Sequence, residues 1–357
     1  MGKARFLYNN LITAESMLSV SSLRLGIVTS AKKTGLGSAS MTPSGDYSGT
    51  TDKEYIVQID SIAGGAEVGQ ATFQWSNGGD AWNASGILTS TGGTLLEAGV
   101  YVKFASGTGA DFAVGDIWYF KVINLFKAGA MIDLDRDHRY RSAALGTPNT
   151  ITVDLGTAQQ IAALIIQDHN LTSAATIAMC GNAANTWGAP AFSVAIPWAN
   201  GSILYYLLSA QNYEFWQLQI TDALNPAGYI EIGELYLGSY LELTKNFSVG
   251  FKRGVNMLYD QNKNKYGATR NRFYNLQRQF DYSFTALSGS TDVISLEQFL
   301  AAITSRDTGN LNPFWFNEDS SDTTKMWMVD IYALPENHHM RTFFDCPISL
   351  TERVASV

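Results

Sequence analysis

Apolar and polar side chains alternate with a period of two through most of this chain, and that pattern limits the possible folds more than any motif does. Tyr55, Val57 and Ile59 alternate with Ile56, Gln58 and Asp60; Ala71, Phe73 and Trp75 alternate with Thr72, Gln74 and Ser76. Successive side chains of a strand point to opposite faces, so this spacing buries one set and wets the other. The pattern returns at Val100, Val102 and Phe104, at Ile151, Val153 and Leu155, at Trp216, Leu218 and Ile220, and from Tyr274 to Phe284. Ile161 to Ile166 is instead apolar throughout, as a strand covered on both faces would be. A mainly β protein is expected, and an aromatic share of 12% suits pleated surfaces.

Helical spacing is clearest in STDVISLEQFLAAITSRDTG. Val293, Leu296, Phe299, Leu300 and Ile303 would share a face of a helix over about 291–306, with Ser290 or Thr291 as cap. Asp292 suits the positive N-terminal end and Gly309 can stop the helix. Residues 30–50, rich in Ser, Gly and Thr, read as a linker or long loop. After it, 38–122 reads as a small antiparallel β-sandwich with a hairpin turn at Asn77-Gly78-Gly79. Residues 123–240 read as a second sandwich with a bulge at Gly233, and 241–357 as a sheet with one packed helix.

Bulk chemistry narrows the function classes. A formal charge of −8 and a pI near 5.0 argue against a protein that grips phosphate backbones. Cys180 and Cys346 lack metal-ligand spacing, so neither a zinc site nor a disulfide framework is expected, and assembly in a reducing cytoplasm is. No stretch approaches a membrane span, and the N-terminal apolar runs are too short for a signal-peptide core. No cofactor is called for: GLGS at 35–38 has no preceding strand or following helix to make a nucleotide loop, and reads as a flexible connection.

Three clusters could carry chemistry. Asp168, His169 and Asn170 end a buried strand, but no Gly-x-Ser-x-Gly elbow or recognisable cysteine nucleophile accompanies them, so a rim satisfying backbone groups is preferred to an active site. Asp133, Asp135 and Asp137 open with calcium-loop spacing, yet His138 replaces the required Gly and Ala144 the twelfth-position Glu. A turn whose carboxylates are neutralised by Arg136, Arg139 and Arg141 is expected there, with no metal. His338-His339 reads as a solvent-facing pair in a turn.

The run SAALGTPNTITVDLGTAQQIAALIIQDHNLT, continued by TIAMCGNAANTW, FWQLQITD and EIGELYLG, resembles discoidin-like (galactose-binding-like) jelly rolls. ARFLYNNLITAESMLSVSSLR is similar to the opening of such a domain, which makes residues 1–37 and 123–240 one sandwich and 38–122 its insertion, as loop tips tolerate. The insertion resembles a small β domain of phage tail and fibre proteins, and 241–357 is similar to modules of phage distal-tail and tail-tube proteins. Together the resemblances imply a non-enzymatic structural component of a phage tail tip or baseplate, assembled in the bacterial cytoplasm as a ring of copies among tube, hub and fibre proteins. Within that frame Tyr259, Tyr266, Arg270 and Arg272 of a basic arm at 252–272, and Phe314, Trp315 and Phe316 of PFWF, are the expected interface between copies. The alternative is a host-surface glycan adhesin, with Trp187, Trp198, Asn182, Asn185 and Asn200 as the contact set. Exposed rings and amides suit sugars; the competing reading is that both tryptophans simply cover the sandwich or pack on the next subunit.

Overall fold

The computed structural model describes residues 2–49, 51–78, 81–124, 126–263, 269–304, 311–333, 338–340 and 343–354; at 259–263, 269–272, 332–333, 338–340 and 343 the description is of the backbone alone. Strand dominates, the sheets are antiparallel, and among the described residues one α-helix, Asp292–Ile303, stands beside them. The chain divides into two compact units, Leu23–Lys127 and the pair of segments Met1–Ser22 with Ala128–Val357.

In the 23–127 unit, one sheet runs in the order Ile27–Val28, Ile117–Ile123, Lys53–Ser61, Thr72–Ser76, Ala84–Leu88, with Lys32–Thr34 also on Ile117–Ile123. A second joins Ser40–Gly45, Val100–Ala105 and Thr94–Glu97. The alternating apolar set forms the core: Tyr55, Val57, Ile59, Phe73 and Trp75 pack with Val102, Phe104, Trp118 and Phe120. Residues 30–50 are not the loose linker their composition suggests. Lys32–Thr34 and Ser40–Gly45 pair as strands, and Ala39, Met41 and Tyr47 are buried. Burying a few well-spaced side chains is enough to order a segment that looks polar on average.

GLGS is likewise a tied turn and not a flexible connection. The buried Asp116 carboxylate accepts from the amides of Leu36 (2.8 Å) and Gly37 (3.2 Å), so the backbone donors a nucleotide reading would offer to phosphate are already occupied. A Cβ on Gly37 would lie 2.2 Å from Asp116 Oδ2, which is why glycine is needed there.

Among its described residues the larger unit holds two large sheets and a two-stranded one that pairs Tyr140–Arg141 with Glu231–Ile232. In the first, Asn149–Gln167 pairs along its length with Ser202–Thr221, and the register shifts between Asp154 and Gln159 and between Ile161 and Ala163. The stretch 156–160 is exposed, so this ribbon leaves the core at its middle and returns to it. Its outer ends are flanked differently: Thr176–Asn182 and Leu18–Val20 lie beside the 149–154 half, Glu234–Gly238 beside the 163–167 half. The second sheet has eight strands, ordered Leu241–Glu242, Arg5–Leu7, Phe314–Asn317, Met326–Ala333, Phe343–Glu352, Thr269–Ser288 and Lys252–Lys263, with His338–Met340 also on Phe343–Glu352.

These two sheets share a core, which departs from the expected boundary at 240. Ala163, Ile165, Leu204 and Tyr236 pack against Leu7, Trp315 and Met328. The continuous apolar run therefore does have both faces covered, because Leu164 and Ile166 are buried as well, but one covering layer is the C-terminal sheet. The N-terminal segment is divided too. Phe6 sits among Phe284, Phe299, Phe314 and Phe316, at centroid separations of 5.2 to 6.2 Å, so Arg5–Leu7 serves the C-terminal sheet while Leu18–Val20 joins the other.

PFWF is part of this interior, not a surface between copies. Phe314, Trp315 and Phe316 are all buried, and the Trp315 indole donates to Gln167 Oε1. Four adjacent buried positions, Phe314–Asn317, give no alternation to tell an intramolecular core from an interface. The helix packs Leu296, Phe299 and Ile303 into the same core. Thr291 stands at the N-cap, where its carbonyl accepts from Ser295 N (3.0 Å) but its side chain makes no capping bond; the Asp292 carboxylate accepts from the amides of Thr244 (2.8 Å) and Ser288 (3.0 Å). Gly309 lies outside the described residues.

Candidate functional site

The buried strand ends at Gln167, and Asp168 turns the chain with φ 54°. Gly233 makes that turn possible from the other side: a Cβ there would stand 2.9 Å from Asp168 Cβ. It also separates Glu231–Ile232, paired with Tyr140–Arg141, from Glu234–Gly238, paired with Ala163 to Gln167. The expected irregularity at Gly233 is thus a switch of pairing partners.

Each member of the polar trio is committed. The Arg136 guanidinium donates through Nε and Nη2 to the two Asp168 oxygens, both at 2.8 Å, a fork-to-fork pair. His169 Nε2 lies 3.1 Å from Ala199 O, and Nδ1 accepts from Leu171 N at 3.2 Å, an arrangement that assigns the proton to Nε2. Burial pushes the His169 pKa below the ordinary histidine value, against a partial pull from the Ala199 bond and the Asp168 charge. Asn170 donates to Tyr229 O (2.9 Å) and accepts from Glu231 N (2.8 Å). The arrangement anchors three loops to a strand end, as the rim reading expects.

The arginines differ from the expectation. Arg139 and Arg141 reach Glu231, Arg136 reaches Asp168, and the Asp133 and Asp135 carboxylates instead accept from backbone: Asp135 N onto Asp133 and Asp137 N onto Asp135, each at 3.0 Å. His138 Nδ1 adds a 2.8 Å contact to Asp133. Short aspartates satisfy the amide two residues on and so fold the loop on themselves, leaving the longer arginines to span to the next strand. Among the described residues no group of three His, Cys, Asp or Glu side chains is placed to hold a metal.

Glu234 was not singled out by its sequence context, where it is one more acid in an alternating strand. It is fully buried, and neither carboxylate oxygen has a hydrogen-bond partner. Burial first, then the charges of Asp133, Asp168 and Asp135, raise its pKa to about 9 against the opposing charge of Arg353. It is a neutral acid at pH 7.

The proposed sugar contacts fall into two groups. Asn182 ends the strand Thr176–Asn182, and Asn185 and Trp187 follow it in the turn that leads to Phe192–Ile196. There the half-buried Trp187 donates its indole N–H to Asn185 Oδ1 (2.8 Å), and Asn182 donates to Thr186 O (2.7 Å). Trp198 and Asn200 follow the far end of the same strand, where Trp198 donates to Leu171 O (3.0 Å) over the polar rim. Phe192 and Tyr213, which the alternation hid, lie at the Trp187 end: their rings stack at 6.4 Å, and both lean on the buried Trp216. Gly181 admits them, since a Cβ there would come within 2.6 Å of the Tyr213 ring.

Of the remaining expected interface residues, Tyr266 lies outside the described residues, as do the side chains of Tyr259, Arg270 and Arg272. The backbone of that segment is a hairpin, Lys252–Lys263 paired with Thr269–Ser288. His338 and His339 stand in a short strand paired with Asp345 and Phe344 and not in a turn. No helix among the described residues is long and apolar enough to cross a membrane.

No protein-family model matches the chain, and no curated protein matches it. Solved structures similar to part of it include chitosan-binding module 1 from a chitosanase/glucanase of Paenibacillus sp. IK-5, at 18% identity over 32% of this chain and 86% of that one, TM-score 0.26. A fucose-binding module of Streptococcus pneumoniae aligns at 12% identity over 32% and 86%, TM-score 0.26. A Clostridium perfringens module in complex with GalNAc-β-1,3-galactose aligns at 13% identity over 32% and 84%, TM-score 0.25.

Proposed function

We propose that this chain is a non-catalytic attachment protein whose 128–240 sandwich, discoidin-like in its sequence motifs, takes glycan at the Trp187 end. The observation that carries the reading is the aromatic cluster there. Trp187 is half-buried with its ring orientation held by Asn185, and the Phe192–Tyr213 pair stands at the same end of the sheet. Flat apolar faces with amides beside them match the apolar face and hydroxyl rim of a pyranose. By contrast the polar rim offers no free base: both His169 nitrogens are engaged and Asp168 is held by Arg136.

The test is binding of chitotriose, fucose and GalNAc-β-1,3-galactose, then a wider glycan array, by wild type and Trp187→Ala. Binding that falls about tenfold or more in the variant, with an unchanged melting temperature, supports the site. Equal binding by both proteins, or a blank array at high protein concentration, removes it.

A second reading, a ring-forming structural component of a phage tail tip carried in the virion, is favoured by one observation. The eight-stranded sheet ends in the hairpin of Lys252–Lys263 and Thr269–Ser288, which carries exposed apolar side chains. The two readings are compatible, since a ring of copies would present many sandwiches at once and raise avidity for a surface.

A further inference from the structure

Lys and Arg are absent from residues 142–244, a run of 103 residues in a chain that holds 24 of them. The same run contains seven acids, and five of them are already committed. Asp168, Glu231 and Glu242 are ion-paired with arginines from outside the run, while Asp222 and Glu234 are buried. Asp154 and Glu214 remain, and among the described residues neither enters an ion pair.

Both stand at the Trp187 end of the sandwich. Asp154 is exposed and lies opposite Phe215, which on its other side lies opposite Asn182, so the three form one row across adjacent strands. Strand neighbours share a face, and two strand spacings put Asn182 about 10 Å from Asp154. Glu214 and Phe215, both half-buried, follow Tyr213 directly in Ser202–Thr221. The turn that carries Asn185 and Trp187 leaves from the same Asn182, whose side-chain amide donates to Thr186 O (2.7 Å). An oligosaccharide seated on these aromatic faces therefore passes beside two carboxylates and no Lys or Arg of the run. An acidic sugar gives up hydration on binding and needs a cationic partner to replace it, which this end does not supply.

We propose that the Trp187 end takes neutral and amino sugar chains and refuses acidic ones, with Asp154 and Glu214 as the residues that set this selection. The selection rests on the glycan reading above and adds to it the class of ligand. Uronic, sialylated and sulfated chains meet like charge there, whereas a free amine meets opposite charge.

The experiment is a glycan array of matched pairs, each neutral chain beside its sialylated, uronic or sulfated counterpart, and chitotriose beside its N-acetylated form. The full chain is applied at low and at high salt. At low salt the neutral member of each bound pair should exceed its acidic counterpart about fivefold or more, and chitotriose should bind at least as well as its N-acetylated form. High salt narrows the gap, because exposed charges are screened. Asp154→Asn with Glu214→Gln should bring the two members of a pair to within about twofold at low salt. The asparagine can still accept from Gly156 N, as Asp154 does at 2.8 Å, so the turn there is kept. Acidic chains bound as well as neutral ones, with binding lost in Trp187→Ala, overturn the selection and leave the glycan reading standing. A gap that survives in the double variant, or chitotriose bound more weakly than its N-acetylated form, also overturns it. A blank array removes the glycan reading and this selection with it.

Discussion

Replacing Glu234 with Gln isolates the cost of keeping a carboxyl neutral inside the larger unit. In the unfolded chain this group titrates near 4.5, and in the folded protein near 9. Between those values the folded state holds a proton that the unfolded state has released, so stability falls as pH rises through the window. Below 4.5 both states are protonated and the native contribution is complete; above 9 both are ionised and the loss is complete. At pH 7 the gap of 2.5 pKa units, at about 1.4 kcal/mol each, corresponds to about 3 kcal/mol. Neither Glu234 oxygen has a hydrogen bond to lose, so the amide changes ionisation more than contacts. Glu234→Gln should therefore be more stable than wild type by about 3 kcal/mol at pH 7, by less than about 1 kcal/mol at pH 5, and by more at pH 9. Urea unfolding of both proteins at the three pH values measures this. A difference that stays constant from pH 5 to 9 would refute a raised pKa at this position, whatever its sign.

Two further outcomes concern the packing and the rim. Phe6→Ala, in the middle of four phenylalanine rings, should cost about 3–5 kcal/mol in urea unfolding; a loss below about 1 kcal/mol would mean that the N-terminal strand does not complete the C-terminal core. His169 is held neutral with a lowered pKa, so its contribution is whole above about 6.5 and declines as pH falls below that toward the folded value. His169→Gln should flatten the dependence between pH 7 and 5, and identical slopes in thermal melts of the two proteins would contradict the burial argument.

Much of this architecture is legible in the sequence, for reasons specific to strands. A single wetted face writes itself as alternation, and Tyr55, Val57, Ile59, Phe73 and Trp75 all lie in the core that their spacing implies. The helix is equally plain, since Leu296, Phe299 and Ile303 return every three or four residues to one stripe. Legibility fails where burial is complete or borrowed. Phe314 to Phe316 read the same as an interface or an interior, and Met41 and Tyr47 are too thinly spaced among serines and glycines to signal order. At the candidate site, Trp187 and Trp198 are close in sequence but separated by a strand, whereas Phe192 and Tyr213 meet only because two strands pair through Gly181.

By itself the amino-acid order determined the class of structure, a chain of antiparallel sheets with a packed helix, because side-chain direction in a strand is a local property with a period of two. It also determined the polar rim at 168–170, because an apolar strand has to meet water where it ends. Tertiary structure alone decided which sheet covers the second face of 161–166, which carboxylates the arginines reach, and that Glu234 is sealed without a partner. Those outcomes depend on strands far apart in the chain arriving at the same place, and pairing across such distances leaves no periodic mark in either segment.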